Sequence, residues 1–209
     1  MFSSRTRKTL HSAVRLLFVA SSAWFMNTAS AAVLQVSGGE LVGALGVNVN
    51  GTLYNVEFVE GTCAALFSGC DQPSDFAFTT QAQADAASQA LLDQVLIDGP
   101  QGNFDTEPAM TFGCEPNTQA SYCSPLTPFT LMVNSDGSFA GSSEIFNQPT
   151  VSGDTITFGF LPINFDTTSS PFLVYARFSA SALPEPTTVG LLGIGLAGFA
   201  LRRRKRSAN

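Results

Sequence analysis

Both ends of this 209-residue chain are apolar segments set beside clusters of cations, and the stretch between them holds almost no cations at all. This bracketing constrains the fold more than any internal motif, because it removes both ends from the packed domain and leaves residues 32–183 to build one core. At the front, Arg5, Arg7, Lys8 and Arg15 lead into the apolar run Leu16 to Met26, and Ala29-Ser30-Ala31 offers small side chains. A basic leader, a short apolar run and an A-x-A-like site have the form of a secretory signal peptide. Residues 1–31 are therefore expected to be removed on export, with Ala29 and Ala31 forming the cleavage site.

At the other end Pro184-Glu185-Pro186 is followed by an apolar segment from Thr187 to Leu201 and then by Arg202-Arg203-Arg204-Lys205-Arg206. As a helix that segment reaches roughly 22 Å, short of the ~30 Å hydrocarbon core of a bilayer. It is expected to be a short C-terminal membrane helix that spans only with local thinning or help from its flanks. The positive-inside bias holds the five cations on the cytoplasmic side, which places everything before Pro184 outside.

The order of tripeptide, short apolar helix and basic terminus closely resembles the PEP-CTERM tails of Gram-negative bacteria. The resemblance covers residues 184–206. It implies that Pro184, Glu185 and Pro186, with Arg202, Arg203 and Arg204, form a sorting signal recognised and removed by an exosortase-type transpeptidase. It further implies a transient inner-membrane anchor and delivery to the cell surface or the extracellular polysaccharide matrix, with that polysaccharide as a possible partner. It implies nothing about the activity of residues 32–183. Some similar tails carry an ice-binding label, but no flat array of repeats accompanies this one.

Setting both ends aside changes the charge. Between Val33 and Leu183 there are 15 acidic residues and one cation, Arg177, with no lysine and no histidine. Nucleic acid and anionic membrane surfaces both require basic contacts, so neither is an expected partner of this domain. The same stretch holds 14 phenylalanines against three tyrosines, Tyr54, Tyr122 and Tyr175, and no tryptophan. Phenylalanine has no polar handle, which favours core packing over a sugar-stacking platform.

Cys63, Cys70, Cys114 and Cys123 are an even set in a chain expected to be exported, which points to two disulfides. Four cysteines allow three connectivities. The local pairs Cys63 with Cys70 and Cys114 with Cys123 are favoured, because each would close a loop rich in turn formers. A zinc site is the alternative, but the spacings are too wide for a knuckle and no histidine assists, so no metal is expected.

The expected fold is mainly β with one helix: an antiparallel sheet or sandwich packed on that helix and stapled by disulfides. Leu45 to Val49 and Leu53 to Val59 flank Asn50-Gly51, a strong hairpin signal, with Tyr54, Val56 and Phe58 on the apolar face. Thr80 and Gln83 have the spacing of a capping box, and Ala84, Ala87, Leu91 and Val95 then recur on one helical face until Asp98-Gly99-Pro100. Gln101 to Pro128 is expected to be an irregular excursion. Further strands are expected at Phe129 to Val133, Ser138 to Phe146, Thr155 to Leu161 and Phe172 to Ser179.

Chemistry-bearing motifs are scarce. A serine or cysteine nucleophile usually needs a histidine or lysine base, and metal-hydroxide sites usually need histidine; the domain has neither residue. No glycine-rich phosphate loop occurs, so no cofactor is expected. Carboxylate pairs remain, as used in glycoside hydrolysis. Asp105 with Glu107, and Asp71 with Asp75, lie in plausible loops, while Asp85 and Asp93 suit a solvated helix face. Asn134 and Asp136 are the best candidates for calcium, without an EF-hand pattern. The preferred expectation is a non-enzymatic surface or matrix protein with no catalytic residues. The alternatives are a calcium- or carbohydrate-binding adhesion module and, further off, a carboxylate-dependent hydrolase.

Overall fold

The computed structural model describes residues 31–116, 122–149 and 153–181. The rest of the expected signal peptide, the membrane helix and the whole sorting signal lie outside the described residues.

The first three strands are β1 (Val33–Ser37), β2 (Glu40–Val49) and β3 (Thr52–Val59). The Asn50-Gly51 signal is met as expected: Val49 pairs with Thr52, and the two turn residues have φ of 50° and 90°. Positive φ at both central positions is what a type I′ turn requires. The side chain of Asn48 adds a cap, its Oδ1 accepting from the Gly51 N–H at 2.7 Å. The second strand begins earlier than the alternation suggested, because a register shift between Ala44 and Val47 interrupts the pattern. Gly46, inside that bulge, has a φ of 71°.

A short helix α1 (Cys63–Leu66) and a loop lead to the main helix α2 (Gln81–Gln94). Thr80 Oγ1 caps it by accepting from the Gln83 N–H, but Gln83 Oε1 accepts from the Thr79 N–H rather than from Thr80. The reciprocal half of the capping box is thus displaced by one residue. Ala84, Ala87, Ala90 and Leu91 are buried, as is Val95 just past the helix. Small residues there let the helix lie close on the sheet. A two-residue pair, β4 (Asp98–Gly99) with β5 (Gly102–Asn103), follows.

The second half contains β6 (Ser124–Asn134), β7 (Gly137–Phe146), β8 (Thr155–Pro162) and β9 (Leu173–Ala180). Seven strands form one sheet in the order β1-β2-β3-β9-β6-β7-β8. This corrects two expectations. The sheet is not a sandwich, and it is not wholly antiparallel, since β9 pairs parallel with β6 through Ser124, Pro125 and Leu126. The irregular excursion also ends sooner than expected, at Ser124. Pro125 and Pro128 argue against a central strand, because proline cannot donate to the ladder. Here β6 accommodates the second of them at a register shift between Pro128 and Thr130.

Both faces of the sheet are covered at its centre, and β9 shows the division. Val174, Ala176 and Phe178 join the core under α2, while Leu173 and Tyr175 join a second cluster with Phe67, Phe76, Leu126 and Ala140. That second cluster includes the disulfide Cys63–Cys70, and Cys114–Cys123 forms the other bridge. The favoured local pairing is therefore the one found.

Candidate functional site

Of the acids singled out in the sequence, Asp75 serves the backbone, while Glu107 and Asp93 bond neighbouring side-chain amides. Asp75 Oδ2 accepts from the N–H groups of Asp71 and Gln72, at 3.1 and 3.0 Å. Asp98 accepts from the Thr106 N–H, the Thr106 hydroxyl and the Asp105 N–H, all near 3.0 Å, and these bonds hold its carboxyl below the ordinary value. Glu107 accepts from Asn103, and Asp93 from Gln89 one helical turn away. Asn134 Oδ1 accepts from the Asp136 N–H at 2.9 Å within the β6–β7 turn. Short polar side chains bonding nearby backbone are the ordinary device of tight turns. Asp105 and Glu107 thus sit in a capped loop, with Asp105 raised by partial burial and by the Asp154 and Asp98 charges. Among the described residues no three His, Cys, Asp or Glu side chains converge to hold a metal ion.

A different set of acids is brought together by the fold. Glu40 opens β2, Glu60 follows the end of β3, and the loop after Thr111 carries Glu115. With Phe112, Gly113 and the segment Thr168 to Pro171 they line a cleft of about 310 Å³. Backbone bonds fix these loops: Phe112 N–H donates to Leu41 C=O, Glu115 N–H to Pro171 C=O and Thr167 N–H to Gly61 C=O. Thr167 is fully buried, and its hydroxyl bonds both backbone groups of Gly61. Asp166 caps the following turn, accepting from the Thr168 N–H and hydroxyl. Gly113, at a φ of 80°, lies where a Cβ would meet Val174 at 2.9 Å and Glu60 at 3.0 Å.

Burial raises the carboxyl of Glu60, and Glu115, Asp166 and Glu40 raise it further. Among the described residues no cation offsets them, because the one basic side chain there, Arg177, is paired with Glu57 at 2.6 Å. The cleft can therefore attract cations and accept hydrogen bonds from hydroxyl-rich molecules, but it presents no nucleophile with a nitrogen base. Glu40, Glu60 and Glu115 are far apart in the chain, so no spacing rule marks them. Only the placement of four loops at one end of the sheet does.

The family model of the PEP-CTERM protein-sorting motif matches residues 182–205. No curated protein and no solved structure matches the chain. The match defines a class of protein by its tail: an exported chain handled by an exosortase and sorted to the cell surface. In this chain the matched segment begins shortly after the end of β9 at Ala180.

Proposed function

We propose that the chain is a non-enzymatic surface or matrix protein, anchored briefly in the inner membrane by its tail and released into the extracellular polysaccharide once the tail is cut. The observation that carries this reading is the match at residues 182–205. It is joined to a domain that has neither histidine nor lysine between Val33 and Leu183 and in which Asp75, Asp98 and Asp166 are engaged in turns. Such a domain acts by where it is placed. Replacing Pro184, Glu185 and Pro186 with alanine is expected to leave the chain in the inner membrane, as followed by cell fractionation and by the mass of the exported form. Normal arrival of that variant at the surface would overturn the reading.

A second reading, a sugar- or calcium-binding adhesion module, draws on the cleft around Glu60, which Glu40, Glu115, Thr168 and Ser169 also line. A flat calcium titration of the melting temperature, together with silence on a glycan array, removes it.

A further inference from the structure

Glu144 sits within β7, opposite Leu126 of β6 on one side and Thr157 of β8 on the other. Residues paired in this way lie on the same face of a sheet. Leu126 belongs to the cluster that holds the Cys63–Cys70 bridge, so Glu144 is on the loop-covered face. Leu126 of β6 and Tyr175 of β9 are buried there, whereas Thr155 and Thr157 of β8 are exposed. Glu144 thus stands where the cover ends, part-buried rather than free in solvent.

A pocket of about 130 Å³ adjoins it, lined by Leu126, Leu161, Phe172 and Leu173 together with Ser142 and Glu144 itself. It shares no residue with the cleft around Glu60. Gly159 of β8 leaves room for the carboxylate, since a Cβ there would meet Glu144 Oε2 at 3.0 Å. Burial raises the Glu144 carboxyl, and the Ser124 hydroxyl offsets only part of that effect. Among the described residues Glu144 has no ion-pair partner, because Arg177 is engaged by Glu57. A part-buried carboxylate in apolar surroundings is costly without a counter-ion, and a cation relieves it.

From the apolar walls of this pocket and its unpaired carboxylate we propose that it receives a lysine side chain of a different, basic protein at the cell surface. The methylene stem lies along the leucines and Phe172, and the ammonium meets Glu144. Lysine suits the site because it joins an apolar stem to a compact charged head. An amino sugar brings the charge too, but its ring hydroxyls would be left unpaired against Leu126, Leu161 and Leu173. A hard metal ion needs several oxygen ligands, and the pocket offers one carboxylate. Nor can the domain of a second copy supply the occupant. The lysines of this chain are Lys8, in the expected signal peptide, and Lys205, in the matched tail. With 15 acidic side chains against one cation between Val33 and Leu183, the domain as a whole draws a basic partner and repels its own kind.

The test is an NMR titration of the full-length chain in detergent micelles, read at the amide of Gly159 beside the carboxylate. Three probes are compared: Nα-acetyl-lysine amide, Nα-acetyl-norleucine amide, which keeps an apolar stem without the charge, and glucosamine, which keeps the charge without the stem. Two variants accompany them: Glu144→Gln, which removes the charge at nearly constant shape, and Glu60→Gln in the other cleft. The expected result is a saturable shift with the lysine probe, at least tenfold weaker binding of the other two probes and of the lysine probe to Glu144→Gln, and no change for Glu60→Gln. The absence of a saturable shift with the lysine probe, glucosamine binding as tightly as lysine, or lysine binding that survives Glu144→Gln overturns the proposal. A response lost in Glu60→Gln instead assigns the cation to the other cleft and overturns it as well.

Discussion

The two faces of the sheet are closed by different means. One is covered by α2, whose Ala84, Ala87, Ala90 and Leu91 share a large continuous core with Val47, Val56, Ile145 and Phe178. The other is covered by loops and the one-turn helix α1, with Tyr175, Phe67, Phe76 and Leu126 among its buried side chains and the Cys63–Cys70 bridge inside the cluster. A regular helix satisfies its own backbone and can devote one face to packing. An irregular cover has to be held in place by something else, and here a covalent bond and the Thr167–Gly61 contact do it. Tyr175 marks the contrast. Fully buried, with no partner for its hydroxyl among the described residues, it has its pKa pushed up to about 12 by burial.

Three measurements test this contrast. Leu91→Ala, in the helix-covered core, is expected to cost about 2–5 kcal/mol, because a fully buried leucine leaves a cavity that the sheet beneath cannot fill. Urea unfolding should show it as a lower midpoint with an unchanged slope. The double change Cys63→Ser with Cys70→Ser is expected to cost about 2–3 kcal/mol, chiefly by freeing the unfolded chain. It should also open residues 60–76 to limited proteolysis, which Leu91→Ala should not do. If Leu91→Ala opened that segment first, the two covers would not be independent.

The third effect is the smallest and has the opposite sign. Because the folded protein raises the Glu60 carboxyl above its ordinary 4.5, its stabilising contribution is complete below that value and fades as pH rises through the raised one. Ionised Glu60 therefore weakens the fold at neutral pH. Glu60→Gln should raise the melting temperature there and reduce the gain on acidification to about pH 4.5. A lower melting temperature for this variant at neutral pH would mean that the cleft depends on the charge.

What could be read from the sequence follows the range of the interactions concerned. The Asn50-Gly51 hairpin, the Thr80 cap and the β6–β7 turn are set by residues within a few positions of one another, and each stands where its spacing placed it. The local disulfides belong to the same group. β1 escaped notice because it is short and bulged, and the start of β6 because Pro125 and Pro128 look like loop residues. The parallel insertion of β9 between β3 and β6 depends on pairing across the whole domain, for which a single sequence carries no pattern. The cleft acids share that difficulty. Their loops meet only once the strands are ordered.

The position of β9 has a consequence for timing. β1 to β3 precede it by more than a hundred residues, as the Glu57–Arg177 pair shows with its separation of 120, and β6 to β8 form the other block. The two blocks share no strand pairing except through β9. On a chain delivered from its N-terminus, the joint that closes the sheet arrives last, immediately ahead of the sorting motif. Slow, non-local pairing of this kind delays completion. The half-finished domain is therefore held together chiefly by α2, and the moment at which it becomes whole coincides with the moment at which its address is presented.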